Sequence, residues 1–296
     1  KREPALQLAD CHVGIDGLGL IGGSIASALR RDGKARSVRA WDTDPETLRF
    51  AREEGLIDIA TPSLEDLAKT CDLLLLAVPL GRIAEEARRA HGAPGESLKA
   101  VMDVGSAKAA VEEQLTPLFG ERYLGFHPMA GGEKSGVRNA SPDLFRNAAC
   151  ALVPGNKTSP EVLRLGRELA AALGCETLQL GPAEHDTITA CTSHTPMLVA
   201  LAVALAAGET REAHPKLPML AAGGFRDTTR MASNPPWLAA DVWAGNRRAI
   251  GAVLDRLIEK LNHLKNMSPG EMLEMAEKAK EARETILAEG TGRWKA

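Results

Sequence analysis

The sequence has few cysteines, few aromatic residues and no block of charge of one sign. Its 296 residues include five cysteines, which lie far apart without a CxxC pair, and aromatic residues make up 3%. This cysteine usage argues against a disulfide framework and a zinc site, and it favours the reducing cytoplasm. The formal net charge of −3 is spread along the chain and offers no basic surface for nucleic acid. We therefore expect small-molecule ligands, and we expect no metal and no nucleic acid.

The sequence also offers little that is typical of a membrane protein. Residues 1–10 lack the apolar core of a signal peptide. Residues 187–207 carry no charge, but they include His194, Pro196 and several threonines, which a spanning helix would rarely hold. We expect this segment to be a helix buried in the protein core or in a subunit interface, with no membrane contact.

Short apolar segments alternate with helical segments from Cys11 to about Leu180. Strands are predicted at residues 12–15, 38–41, 57–61, 73–78, 100–104, 125–127, 149–153 and 177–180. Helices are predicted between them at residues 24–30, 45–54, 64–70 and 107–114. This alternation predicts an α/β fold with a doubly wound parallel sheet of the Rossmann type.

After Gly181 the pattern becomes helical, with helices predicted at residues 183–207, 218–231, 237–265 and 268–287. Ser268 with Pro269 and Glu271 is typical of a helix start. We therefore expect two domains, a nucleotide-binding domain at residues 1–180 and an all-helical domain at residues 181–296. The apolar faces of the helical domain suggest a homodimer, since exposure of such faces to water is unfavourable and a second copy would cover them.

A glycine turn follows the first predicted strand and precedes the first helix. It reads Gly17, Leu18, Gly19, Leu20, Ile21 and Gly22. In this pattern the first glycine permits the tight turn, the second lets the backbone approach a pyrophosphate, and the third lets the helix pack closely on the sheet. The helix N-terminus then offers free N–H groups to the phosphates. The context of strand, turn and helix predicts a dinucleotide site.

The nature of the dinucleotide follows from the end of the second strand. Asp42 is placed to accept hydrogen bonds from the ribose hydroxyls, and its charge would repel a 2′-phosphate, so we predict NAD rather than NADP. Val78 and Pro79 end a buried strand and should line the cofactor crevice. Asp16, just before the turn, places a carboxylate where an apolar residue is more usual, and the sequence offers no reason for it.

Further motifs lie at the ends of predicted strands and in the helical part. They read DVGSAK at 103–108, GFHPMAGGEKSG at 125–136, HD at 185–186, SHTP at 193–196 and GFRDTTR at 224–230. Together with the glycine turn, these motifs resemble the prephenate/arogenate dehydrogenase family of tyrosine biosynthesis. The resemblance covers almost the whole chain.

The resemblance implies an NAD-dependent oxidative decarboxylation. A hydride leaves C4 of a cyclohexadienol, the C4 hydroxyl loses its proton, and the ring carboxylate leaves as carbon dioxide. His127 matches the family's catalytic histidine, and Ser106 matches a serine between that histidine and the nicotinamide. Neutral imidazole is a suitable acceptor for the hydroxyl proton. Lys108 and Glu133 belong to the same motifs and are expected to fix loops.

The resemblance also implies a set of substrate-binding residues. Arg230 matches an arginine that grips a carboxylate, for which a planar guanidinium is suited, and Arg226 lies one helical turn before it. The other candidates are His185, His194, Gly223, Trp237 and Met197. For each histidine, burial in the core is the competing interpretation, and for Trp237 it is packing at a helix start.

Two departures from the family pattern leave the substrate open. Met197 stands where many members that use prephenate carry a second histidine, so recognition of the keto group of prephenate or the amino group of arogenate stays undecided. Trp237 lies further from Asp241 than the family's usual spacing. Two other classes remain as alternatives. A dehydrogenase of the β-hydroxyacid type should carry a catalytic lysine early in its helical domain, and a non-catalytic dinucleotide sensor would not need Ser106, His127 and Arg230 together.

Overall fold

One eight-stranded sheet organises the first part of the molecule, which is a computed structural model that describes residues 6–93, 98–132 and 134–290. The strand order is β3-β2-β1-β4-β5-β6-β7-β8. The strands are β1 His12–Asp16, β2 Ser37–Trp41, β3 Ile59–Ala60, β4 Leu73–Leu76, β5 Ala100–Asp103, β6 Tyr123–Pro128, β7 Ala149–Pro154 and β8 Glu176–Gln179. Each of the eight predicted strands is present, and the chain order reverses between β1 and β4.

The expectation of a wholly parallel sheet is wrong at one pair, because β6 and β7 run antiparallel while every other neighbouring pair is parallel. In the register of this pair His127 faces Ala151. A parallel connection needs a crossover, usually a helix, and the described residues between β6 and β7 form only a short 3-10 turn, Val137–Asn139. The parallel pairing of β6 with β5 places His127 and the loop after it at the same edge as the glycine turn, and antiparallel β7 starts from that edge.

Six helices cover the two faces of the sheet. They are α1 Leu20–Arg31, α2 Pro45–Glu53, α3 Leu64–Thr70, α4 Ile83–Gly92, α5 Ala109–Phe119 and α6 Pro160–Ala172. Helices α4 and α6 are additional to those predicted. Strand β4 shows why the sheet needs both layers, because Leu73 and Leu75 pack into one apolar core, while Leu74 and Leu76 pack into the other.

The rest of the described chain is helical. The elements are α7 Pro182–Thr189, a π-helical turn Ala190–His194, α8 Thr195–Ala213, α9 Gly223–Thr229, α10 Pro236–Gly245, α11 Arg247–Leu264 and α12 Pro269–Glu289. The predicted helix at 237–265 is wrong as one element, since Asn246 interrupts it with a φ of −134° and a ψ of 30°. Ser268 and Glu271 form the expected reciprocal cap of α12.

The run from Pro182 to Ala213 is long and apolar enough to cross a membrane by length and composition alone, a test that core helices of soluble proteins also pass. Its first two turns pack against the nucleotide-binding part. The Asp186 carboxylate accepts hydrogen bonds from the backbone N–H of Lys108 at 2.7 Å and of Ala109 at 2.9 Å. This carboxylate thus joins the start of α5 to the helical domain.

Candidate active site

One cavity of about 760 Å³ lies between the carboxyl ends of the strands and helices α8 and α10. It gathers predicted residues from both domains. From the cofactor set these are Gly17, Gly19, Leu20, Ile21, Asp42, Val78 and Pro79, and from the catalytic and substrate sets Ser106, His127, His194, Met197, Arg230 and Trp237. Four predicted residues, Leu18, Gly22, His185 and Gly223, are not among those that line it.

The geometry of the glycine turn fits a dinucleotide. Gly17 has a φ of +93°, and a Cβ there would lie 2.8 Å from the carbonyl oxygen of Ala77. A Cβ on Gly22 would lie 2.0 Å from the carbonyl oxygen of Gly17, so Gly22 serves the close packing of the turn. At Gly19 a Cβ would meet nothing within 4 Å, and no side chain caps the N-terminus of α1. Open space before free N–H groups is what a pyrophosphate requires.

Asp42 lies at the end of β2 in the same cavity. One carboxylate oxygen accepts the backbone N–H of Leu18 at 2.7 Å, and the other accepts that of Asp44 at 2.9 Å. These bonds hold the carboxylate beside the turn, and each oxygen keeps a further lone pair for a ribose hydroxyl. Leu18 does not line the cavity because its side chain packs into the apolar core, while its backbone N–H fixes Asp42.

Asp16 is buried completely at the end of β1, and neither carboxylate oxygen has a hydrogen-bond partner within residues 6–93, 98–132 and 134–290. Burial raises the pKa of this carboxyl well above its usual value, and the negative charge of Glu86 acts in the same direction. Glu86 itself is bound by Arg82 and Arg89, both at 2.7 Å. The carboxyl of Asp16 is therefore favoured in its neutral form.

His127 lies at the cavity wall on β6, partly buried. Its Nδ1 is 2.8 Å from Nε2 of His185 on α7, and Nδ1 of His185 is 2.9 Å from Oδ1 of Asp186. Burial lowers the pKa of His127 well below 6.5, and the positive charge of Lys108 and the neighbouring histidines act in the same direction. The imidazole is neutral near pH 7 and can accept a proton.

His194 ends the π-helical turn and is almost completely buried. Its Nδ1 is 3.1 Å from the side-chain nitrogen of Asn246, which also donates to the carbonyl oxygen of Asp186 at 2.8 Å. Its Nε2 has no partner in the part of the chain that the structure describes. Burial lowers the pKa of His194 to about 4, so this imidazole is also neutral near pH 7.

Ser106 lies on the turn between β5 and α5 and lines the cavity. A buried ion pair fixes this turn from below: Lys108 Nζ lies 2.5 Å from Oδ1 of Asp103, and that oxygen also accepts the backbone N–H of Gly105 at 3.0 Å. The hydroxyl of Tyr123 donates to the other oxygen of Asp103 at 2.8 Å. Lys108 thus fixes a loop, as expected, whereas Glu133 lies outside the described residues.

The far end of the cavity is formed by the helical domain. Arg230, which follows α9, is exposed and lines the cavity, while Arg226 lies outside it, 3.9 Å from Asp227. Half-exposed Trp237 and buried Met197 complete this end. The amide of Asn234 reaches the sulfur of Met197 at 3.9 Å. Gly223 starts α9 and places Arg230 without lining the cavity itself.

Two residues at the domain boundary carry contacts that the sequence did not reveal. The Asp241 carboxylate on α10 accepts the backbone N–H of Leu80 at 2.5 Å and of Gly81 at 2.7 Å, next to the Val78–Pro79 exit. Asn246 holds His194 from the break between α10 and α11. The signal for Asp241 was its spacing from Trp237, and the signal for Asn246 was the Gly245–Asn246 pair, which is typical of a helix end. Within residues 6–93, 98–132 and 134–290, no cluster of three His, Cys, Asp or Glu side chains is suited to a metal.

A dinucleotide turn and a neutral histidine that share one cavity define a two-domain NAD-dependent dehydrogenase. Residues 25–178 match the nucleotide-binding domain of prephenate dehydrogenase, and residues 181–280 match its dimerization domain. The chain belongs to the prephenate dehydrogenase family. A prephenate dehydrogenase of Bacillus subtilis is 32% identical over 84% of this chain and 68% of its own length.

Solved structures agree with this assignment. A prephenate dehydrogenase from A. aeolicus, in complex with hydroxyphenyl propionate and NAD+, is 29% identical and superposes with a TM-score of 0.83 over 97% of this chain and 99% of its own. An arogenate dehydrogenase from Synechocystis is also 29% identical, with a TM-score of 0.79 over 93% of this chain and 99% of its own.

Proposed function

We propose that this chain catalyses the NAD-dependent oxidative decarboxylation of prephenate to 4-hydroxyphenylpyruvate or of arogenate to tyrosine, within tyrosine biosynthesis. One observation supports this above the others: neutral His127 faces the same cavity as the glycine turn and Arg230. A sensor without catalysis would have no use for a base at that position. The first long helical run, at 182–207, carries no lysine, which speaks against the β-hydroxyacid type.

His127 is the general base of the proposed reaction. The substrate's C4 hydroxyl gives its proton to His127, and a carbonyl forms at C4. The glycine turn and Asp42 would hold NAD, which would supply an acceptor for the hydride that leaves C4. The bond to the ring carboxylate then breaks, carbon dioxide leaves, and the electron pair enters the ring, which becomes aromatic. The phenolate oxygen recovers the proton from His127, so the step needs no other acid.

Ser106 and Arg230 hold the ring in place for this proton transfer. The Ser106 hydroxyl stands on a turn fixed by the Lys108–Asp103 ion pair, and it is placed to orient the substrate hydroxyl toward His127. Arg230 grips a substrate carboxylate at the other end of the cavity. Trp237 and Met197 enclose the ring and its side chain. His185 acts through His127 rather than on substrate, because it lies behind that residue and outside the cavity wall.

The proposal extends to the assembly of the chain. We place the domain boundary between residues 180 and 181, in the link between β8 and α7. Apolar side chains are exposed on the helical domain, among them Leu205, Leu261, Leu273 and Ile286. A second copy of the chain would cover them, which supports a homodimer. A biosynthetic enzyme without disulfides fits the cytoplasm.

The test is to incubate the protein with NAD and with prephenate or arogenate in parallel, and to follow the absorbance of the reduced cofactor. We expect turnover with at least one compound and the phenol as product. His127→Asn should lower kcat by about 10²- to 10⁴-fold, the usual contribution of a general base, with substrate affinity kept. Absence of turnover with both compounds between about pH 6 and pH 9 would refute the proposal.

A further inference from the structure

We infer that His185 with Asp186, and Asn246, are positioning residues that hold His127 and His194 in opposite tautomers, so that one presents an acceptor and the other a donor at the active-site cavity. The chemical use of this pair rests on the proposed function. The tautomers themselves follow from the hydrogen bonds alone, because each chain of bonds ends at a group that can play only one role.

The first chain ends at the Asp186 carboxylate, which in its ionised form only accepts. Its two oxygens accept the backbone N–H groups of Lys108 and Ala109 at the start of α5, so this carboxylate acts as an acceptor throughout the network. Nδ1 of His185, at 2.9 Å, must therefore carry the proton. In neutral His185 the Nε2 atom is then an acceptor, and it receives Nδ1–H of His127 at 2.8 Å. Nε2 of His127 is left with its lone pair.

The second chain ends at the main-chain carbonyl of Asp186, which also only accepts. The atom of Asn246 at 2.8 Å from it is therefore the amide nitrogen. The second hydrogen of the same nitrogen points to Nδ1 of His194 at 3.1 Å, so Nδ1 holds a lone pair. The neutral ring then carries its proton on Nε2, the buried atom without a partner within residues 6–93, 98–132 and 134–290.

Both series of hydrogen bonds end at Asp186, one at its carboxylate and the other at its main-chain carbonyl. They leave one ring with a free acceptor atom and the other with a donor atom. His127 offers a proton acceptor, which suits the C4 hydroxyl that must lose its proton. Among the described residues, the buried Nε2–H of His194 makes no complete hydrogen bond, and the backbone of Ser106 is a polar group that lies beside the ring. A carboxylate or keto oxygen of the substrate would give this donor a stronger acceptor. An unsatisfied buried donor is rare in proteins and is expected where a ligand completes it. His194 is thus a binding group of this cavity with a defined donor atom.

The charged and titratable groups around the rings agree with neutral imidazoles. Lys108 at the start of α5 faces His127, and Asp103 on β5 neutralises it in a buried ion pair. His185 and Asp186 face the rings from α7, and the rings face each other. Burial, Lys108 and the neighbouring histidines all disfavour a charge on His127. At His194 burial outweighs the carboxylate of Asp186, which acts in the opposite direction, so the pKa still falls to about 4.

The experiment measures the tautomers directly by long-range ¹H–¹⁵N NMR of the histidine rings in the full-length protein without ligand. We expect an Nδ1–H signal for His127 and an Nε2–H signal for His194. His185→Leu should mix the tautomers of His127 and lower kcat roughly 10²-fold or more, while the Kd of NAD changes less than about twofold. His185→Gln offers an oxygen to Nδ1–H and should restore the signal and most of kcat.

Asn246→Asp tests the second chain, because a carboxylate can only accept and would move the proton of His194 to Nδ1. We expect the His194 signal to change tautomer and the KM of the substrate to rise about 10-fold, as loss of one hydrogen bond to a charged group would produce. His12→Gln, at the amino end of β1 and so at the sheet edge opposite the cavity, is the matched histidine control and should leave both ring signals unchanged.

An Nε2–H signal from His127 in the parent protein, or unchanged ring signals in both variants, would overturn the inference. The NMR arm does not depend on turnover. Ring signals as expected in a protein that oxidises neither prephenate nor arogenate would leave the tautomers standing and refute the proposed function instead.

Discussion

Replacing Asp16 with valine should stabilise the protein. The carboxyl is fully buried at the end of β1, and within the described residues neither oxygen has a hydrogen-bond partner. Asp16 borders the cavity at the end of β1, and valine suits a strand position and needs no hydrogen-bond partner there. Removing an unsatisfied buried polar group recovers its desolvation cost, about 1–3 kcal/mol. For a protein of this size that corresponds to a rise in Tm of about 2–4 °C per kcal/mol.

The gain should depend on pH in a defined direction. Burial and Glu86 raise the pKa of Asp16 in the folded state above the value of 3.8 that the unfolded chain would show. Between these two values the folded state holds more protons than the unfolded state, so the contribution of Asp16 to stability falls as pH rises. The difference in stability between Asp16→Val and the parent should therefore be larger at about pH 8 than at about pH 5.

Denaturant unfolding at both pH values, without NAD, measures this difference. Asp16→Asn removes the titration but keeps a polar group, so its gain should be smaller and should vary with pH in the same direction. Asp10→Asn, an exposed aspartate in the turn before β1, is the control and should change nothing. A valine variant that unfolds at or below the parent's midpoint at about pH 8 would refute the reasoning.

Three further perturbations probe the active site. Arg230→Ala should weaken substrate binding about 10- to 100-fold, because a charged hydrogen-bonded pair is lost. Arg226→Ala, at an exposed arginine outside the cavity, is the control and should leave the Kd of the substrate unchanged. Equal Kd values in the two variants would show that the carboxylate is bound elsewhere. Met197→His adds a hydrogen-bonding group near Asn234. The ratio of kcat/KM for prephenate to kcat/KM for arogenate should therefore rise roughly 10-fold. Parallel assays with the two substrates measure this ratio, and an unchanged ratio would contradict the expectation. Burial lowers the pKa of His127, and a general base works above its pKa, so kcat/KM should stay level from about pH 8 down to below 6.5. The pH profile of kcat/KM measures this, and a fall in kcat/KM with its midpoint above pH 6.5 would contradict the lowered pKa.

Much of the nucleotide-binding part could be predicted from local patterns. The apolar run at β4 and the glycine turn are both set by neighbours in sequence, and both form where expected. The two unpredicted helices differ in cause. Helix α6 has a recognisable start, because the Ser159 side chain accepts the N–H of Val162 and Pro160 is the first helical residue. Helix α4 has many charged residues, so its apolar face is clear only once the sheet against which it packs is known.

The rest depends on contacts between distant residues. The direction of β7 beside β6 cannot be read from periodicity, because a strand looks the same in either orientation. Gly245 and Asn246 form a local stop signal at the end of α10, but no local pattern shows that the Asn246 side chain reaches Asp186, 60 positions away. His185 was expected at the substrate, but spacing within a helix does not tell which of two neighbouring rings faces a ligand.

The shared position of Asp186 also bears on how such a chain can be divided or recombined. The proton acceptor stands on the nucleotide-binding half, and the residues that orient it belong to the helical half. A hybrid that joined residues 1–180 to a foreign helical half would keep its glycine turn and Asp42, and could retain its affinity for NAD. Its imidazole would lose the partner that decides where the proton sits. Exchange of the helical half alone would therefore keep cofactor binding and lower the rate of proton transfer, so the two halves function as a matched pair.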